Sequence, residues 1–167
     1  IQEKTELNKI LYVYPFNTLV EQNLNNLEKI FGNNPELFQQ IAVVNALTPM
    51  KVKGYDQKLK EEEMYTEHYE KILLDRQFLN YPFVLTTHVS LFDILFGVRR
   101  ESAFAFHQIA NSVIVLDEIQ SYKNQIWTEI ILFLEAFSKL FHCKVIVMSA
   151  TLPDFTYLLN QKSEIYS

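Results

Sequence analysis

Hydrophobic residues gather along the chain into short unbroken runs, separated by longer stretches of helical period. Ile10 to Pro15 (ILYVYP), Ile41 to Ala46 (IAVVNA), Phe83 to Thr87 (FVLTT), Val113 to Leu116 (VIVL) and Lys144 to Met148 (KVIVM) are such runs. Their length and their branched and aromatic residues suit strands. After the first run, apolar residues recur at 20, 24, 27 and 31, a helical spacing. Thr18 and Glu21 stand at capping-box distance there, and Gly32 supplies a stop. Asn34-Pro35-Glu36 opens another short helix. VSLFDILFG reads as a helix closed by Gly97, and RRESAFAFHQIAN resumes the helical pattern. A long helix is predicted from about Gln125 to Phe141, with apolar residues at 126, 130, 134, 137 and 141. Thr151 and Asp154 have the spacing to cap a final helix.

Strands therefore alternate with helices. The two late strands are continuously apolar, as strands covered on both faces must be. The pattern predicts an α/β three-layer sandwich with a mainly parallel sheet. In such sheets ligands collect at the carboxyl ends of the strands. Thr87, Asp117, Glu118, Ser149 and Thr151 all fall there. Residues 51–80 are different: the charge run KLKEEEMYTEHYEK marks a solvated helical excursion.

Composition narrows the picture. The 167 residues are 49% hydrophobic, enough for a real core, and suit one domain or part of a larger one. A formal charge of -5 argues against a surface that grips nucleic acid everywhere, but leaves room for a local phosphate groove. The single cysteine, Cys143, forms no internal disulfide, fits a reducing cytoplasm and reads as a small core residue. No apolar run approaches the roughly 20 residues of a membrane span. The N-terminus has no signal-peptide pattern and starts without Met, as a piece of a longer chain would. His68, His88, His107 and His142 lack metal-ligand spacing. His68 reads as solvated, His107 as packed beside Phe104 and Phe106, and His142 as a local hydrogen-bonding group.

The chemistry sits in VIVLDEIQSY, where a hydrocarbon strand runs straight into two carboxylates. Such a pair costs desolvation energy unless a cation or donors meet it. A strand-end Asp followed by Glu suits nucleotide hydrolysis: Asp117 holds Mg²⁺ through water, and Glu118 orients and deprotonates the attacking water. A helix start accounts for the same dipeptide, with Asp117 as cap and Glu118 at the positive helix end. Ser149-Ala150-Thr151 follows 32 positions after Asp117, beyond one long helix and one strand. If the two strands are neighbours, its hydroxyls lie beside the carboxylates; a helix cap is the bland account of the triplet.

VIVLDEIQSY and VIVMSATLP resemble motifs II and III of superfamily-two helicases. The form is most similar to the CRISPR-associated helicase/nuclease of type I systems. ILYVYPFNTLVEQN resembles motif Ia of that family, YPFVLTTHVSLFDILFG its next strand and helix, and IANSVIVLDEIQ extends the match upstream. The resemblance spans Ile10 to Pro153 apart from the excursion. It implies a RecA-like first motor lobe, incomplete at its N-terminal side, that uses ATP and Mg²⁺. It implies that Asp117 positions the metal, Glu118 is the general base, and Gln120 links the γ-phosphate side to the nucleic acid. Ser149, Ala150 and Thr151 carry that coupling. Pro15, Phe16 and Asn17 border a single-stranded DNA path, as do Thr86, Thr87 and His88. The implied partners are single-stranded DNA and the RNA-guided surveillance complex.

One part of the family pattern is missing. The three glycines, Gly32, Gly54 and Gly97, build no G-x-x-x-x-G-K-[ST] loop. The 167 residues alone are therefore expected neither to hydrolyse ATP nor to cleave DNA. A sheet lacking that loop's strand is expected to expose an edge and to self-associate. Two other readings stay open: another superfamily-two remodeller of RNA or DNA, and a non-catalytic module that kept the fold to bind a partner.

Overall fold

The computed structural model describes residues 6–44, 74–75, 79–97, 100–121 and 127–151. Strands β1 (Lys9–Tyr14), β2 (Ile41–Val44), β3 (Phe83–Thr87), β4 (Ser112–Leu116) and β5 (Lys144–Val147) form one sheet in the order β2-β3-β1-β4-β5. Each of the four pairings is parallel. Among the described residues, helices α1 (Asn17–Phe31), α2 (Pro35–Phe38), α3 (His88–Phe96), α4 (Arg100–His107) and α5 (Trp127–Phe141) accompany them. A short 3-10 turn occupies Ile119–Ser121.

The two-residue period of β1 sets the layers. Leu11 and Val13 face a large core shared with Leu91 and Leu95 of α3, Ala105 of α4, and Leu134 and Phe137 of α5. Tyr12 and Tyr14 face the other way, into a smaller core with Leu85 and with Val20, Leu24 and Leu27 of α1. Helices thus cover both faces, which is the predicted α/β sandwich. The chain leaves β1 toward β2 at one margin of the sheet and leaves β4 toward β5 at the other. The crevice between the carboxyl ends of β1 and β4 is therefore a topological switch point, where α/β sheets hold ligands.

Several expectations need correction. The Thr18–Glu21 capping box does not form: Phe16 is the N-cap, no side chain caps the helix, and Thr18 already lies in the first turn. The early start is set by Phe16 itself, whose carbonyl accepts from Leu19 and Val20. Gly97 does end α3, in extended backbone. An added Cβ would lie 2.6 Å from Ser102 Oγ and clash with the Asp93 carbonyl, so a side chain has no room there. Strand β4 is buried at every position, but β5 is not, with Lys144 and Ile146 exposed. The reason lies in the faces of the sheet: Val145 and Val147 pack on the large core, whereas Lys144 and Ile146 project to the opposite face, where the smaller core does not extend as far as β5. His107 is exposed, with its ring set edge-on to Phe106. Most of the excursion at 51–80 and the predicted final helix lie outside the described residues. No helix among the described residues is long and apolar enough to cross a membrane.

Candidate functional site

The site begins where β4 and β5 end. Leu116 lies opposite Val147 in the register. The ladder continues past the strands: the Met148 amide donates to the Leu116 carbonyl at 2.8 Å, and the Ile119 amide to the Met148 carbonyl at 3.3 Å. The acidic pair and the Ser-Ala-Thr triplet thus emerge side by side from adjoining parallel strands, which meets the condition the sequence left open.

Asp117 is held from several directions. Its amide donates to the Val13 carbonyl at the end of β1, 3.0 Å. One carboxylate oxygen, Oδ1, accepts from the Glu118 amide at 2.8 Å, and the other, Oδ2, accepts from the Tyr12 hydroxyl at 3.1 Å. Its backbone also meets the His88 side chain in a hydrogen bond. Glu118 is exposed, and its φ of 51° puts a non-glycine residue in the left-handed region. Such strain, of order 1–3 kcal/mol, persists where the surroundings force it, and it concentrates at functional sites. Here it turns the chain sharply off the strand, and the Glu118 side chain points to solvent instead of extending β4.

Gln120 joins the two motifs. Its amide nitrogen donates to Glu118 Oε2, and its amide oxygen accepts from the Ser149 hydroxyl. Ser149 Oγ accepts from the Thr151 amide at 3.3 Å, and the Thr151 carbonyl, 3.0 Å away, is the alternative acceptor for its single proton. A continuous polar chain therefore runs from Glu118 through Gln120 and Ser149 to Thr151. Ala150 is exposed beside it and adds no polar group.

The candidate nucleic-acid residues lie at the same rim, on β1 and β3, paired up to Tyr14 and Thr87. Phe16 is 59% exposed, and Val89 at the start of α3 is 66% exposed. Pro15 and Asn17 are half-buried. Asn17 Oδ1 is enclosed and meets no donor among the described residues. Thr86, Thr87 and His88 are all buried. The Thr86 hydroxyl donates to the Val44 carbonyl, and the Thr87 hydroxyl caps α3 by accepting from the Ser90 amide. Those two hydroxyls bond within the fold.

Burial sets the electrostatics. It lowers His88 to about 4, only partly opposed by the hydrogen bond to the Asp117 backbone, so the ring is neutral near pH 7. It raises Tyr12, with the Asp117 charge and hydrogen bond acting in the same direction, so that phenol stays a donor. Tyr14, stacked on Tyr12 at 4.7 Å between ring centroids, is pushed up by burial first and then by the neighbouring Tyr12 and Asp117 charges and a hydrogen bond with Tyr12. Sequence reasoning missed Tyr12, because a tyrosine alternating in a strand looks like any half-buried aromatic. Its one signal was the polar tip it carries two positions before the strand ends.

Among the described residues no three His, Cys, Asp or Glu side chains cluster as a metal cage. The donors at hand are hard oxygens: one carboxylate held by two donors, one exposed carboxylate, and two hydroxyls. That set suits Mg²⁺, which keeps most of its water and leans on one or two carboxylates and a substrate's phosphates.

Comparison with known proteins agrees with this geometry. Residues 1–158 match the DEAD/DEAH box helicase family. The chain is also similar to the CRISPR-associated nuclease/helicase Cas3 of Haloferax volcanii, 26% identical over 149 residues. That alignment covers 86% of this chain and 15% of the archaeal protein, so the chain spans about a seventh of its relative's length.

Proposed function

The chain belongs to the DEAD/DEAH box helicase family, and we propose that residues 1–167 form part of the first RecA-like motor lobe of an ATP-dependent translocase on single-stranded DNA. By its likeness to a CRISPR-associated nuclease/helicase, the full-length protein would act in type I CRISPR antiviral interference in the cytoplasm. A nuclease domain elsewhere in its chain would cut the strand, and the RNA-guided surveillance complex would recruit it. The observation that carries the reading is the polar chain from Glu118 through Gln120 and Ser149 to Thr151, lying at the switch point beside Asp117.

Each residue has a definite task in this reading. Asp117 would hold Mg²⁺ through water, with its carboxylate fixed by the Tyr12 hydroxyl and the Glu118 amide. Mg²⁺, when bound with ATP, supplies neutralisation of the charge on the phosphate oxygens. Glu118 would take the proton of the attacking water, and its exposed position leaves room for that water. Gln120 touches Glu118 at one end and Ser149 at the other, so a shift in the Ser149–Thr151 loop changes where the base points. That is how nucleic acid bound farther along the same rim would alter hydrolysis at Glu118. Phe16 and Val89, apolar and exposed on neighbouring strand ends, would border the DNA path. The 167 residues carry no phosphate-cradling Gly-Lys loop, so by themselves they would hold a triphosphate weakly.

The test is ATP hydrolysis and strand displacement by the full-length protein with defined nucleic acids. Stimulation by single-stranded DNA and ATP-driven displacement are expected. Stimulation by RNA alone would favour a different remodeller, and no hydrolysis with either would favour a binding module.

A further inference from the structure

Tyr12 has no task in the motifs that carry the family resemblance, yet it touches the residue at their centre. It belongs to β1, while Asp117 follows β4, and 105 positions separate them. Its hydroxyl donates to Asp117 Oδ2 at 3.1 Å. The other hydrogen bond to this carboxylate comes from the very next amide, that of Glu118. A bond from the adjacent peptide moves with Asp117 when the turn moves. The bond from Tyr12 does not, because it is anchored in the central strand of the sheet.

The donor itself is well braced. Tyr12 stacks on Tyr14 at 4.7 Å with an interplanar angle of 22°. Tyr14 is buried and packs with Val20 of α1 and Leu85 of β3. An aromatic ring with few torsions, pinned on one face, loses little entropy when it donates. The hydroxyl also reaches Met148 Sδ at 3.7 Å, so it lies between the acidic turn and the Ser-Ala-Thr loop.

We propose that Tyr12 is a positioning residue whose hydroxyl fixes the Asp117 carboxylate in the orientation that receives the metal–nucleotide. This rests on the reading of Asp117 as a water-mediated Mg²⁺ ligand. Beyond that reading, it makes β1 a direct mechanical link. Three residues after Tyr12 the same strand delivers Pro15, Phe16 and Asn17 to the proposed DNA path. A displacement of that strand end would reach the metal-binding carboxylate through one hydrogen bond.

The test uses the full-length protein and two probes, ADP with Mn²⁺ and ADP with a chelator, read by calorimetry and by Mn²⁺ paramagnetic resonance. Tyr12→Phe removes only the hydroxyl and keeps the ring stack. Mn²⁺·ADP affinity is expected to fall roughly tenfold, the scale of losing one hydrogen bond to a charged group. Chelated ADP affinity and the melting temperature of the nucleotide-free protein should stay at wild-type values. Wild-type Mn²⁺·ADP affinity in Tyr12→Phe would overturn the inference while leaving the nucleotide site intact. An equal loss with and without metal would also overturn it, since the residue would then only support the fold. A wild-type protein that binds no Mn²⁺·ADP would sink the nucleotide reading, and this inference with it.

Discussion

The side chain of His88, just past β3, is hydrogen-bonded to the backbone of Asp117, just past β4. The central strand β1 lies between those two strands. A buried neutral ring therefore ties the rim proposed for DNA to the turn proposed for the nucleotide, across the end of a third strand.

Acid stability follows from that burial. The His88 ring has its folded value lowered to about 4 from the ordinary 6.5. Between those values the unfolded chain takes up a proton that the folded chain refuses. Stability is thus fully present above pH 6.5 and declines as pH falls toward 4, by on the order of 3 kcal/mol at most. Urea unfolding of the 167-residue chain across this window should show the decline. His88→Phe should be less stable at neutral pH but lose less on acidification. Parallel pH profiles for the two proteins would remove His88 from the explanation.

Coupling should run through Gln120 and Ser149. Ser149→Ala removes the hydroxyl that bonds Gln120, and Gln120→Ala removes the bridge itself. Either change should reduce stimulation of ATP hydrolysis by single-stranded DNA about fivefold or more in the full-length protein, as loss of roughly 1 kcal/mol of coupling would. The double variant should be little worse than either single one, because both break one chain. Strictly additive losses would mean that the two residues act separately.

Self-association is expected of the 167 residues expressed alone. Ile146 of β5 is 45% exposed, Met148 just past it is 42% exposed, and among the described residues β5 pairs with β4 alone. An apolar open edge invites pairing with another chain. Light scattering should report oligomers that grow with concentration, and Ile146→Lys should shift them toward monomer. A clean monomer at high concentration in the unmodified chain would oppose this.

The sheet was legible because parallel strands buried on both faces must be apolar throughout. VIVL of β4 and FVLTT of β3 announce themselves that way. That the strand ends carrying Asp117 and Ser149 adjoin was a condition the sequence left open, and the sheet order meets it. What composition does not encode is which side of a strand receives a neighbour: KVIVM looks as buried as VIVL, yet β5 is an open edge. Nor do contacts between distant strands leave a local mark. Tyr12 and His88 both reach Asp117 from elsewhere in the chain, and neither shows a spacing that points to it. The capping box failed for a local reason: the helix begins at Asn17, two residues earlier than a Thr18 cap requires.

Hydrolysis by Glu118 is the point on which the motor reading turns, and single-turnover ATP hydrolysis in the full-length protein, wild type against Glu118→Gln, measures it. The glutamine keeps the side chain's shape and its contact with Gln120 but cannot take a proton. We expect ATP binding within a few fold of wild type and hydrolysis slowed by about 10²–10⁴, the range lost with a general base. Wild-type hydrolysis in Glu118→Gln would contradict the assignment of this strand end as the hydrolytic centre.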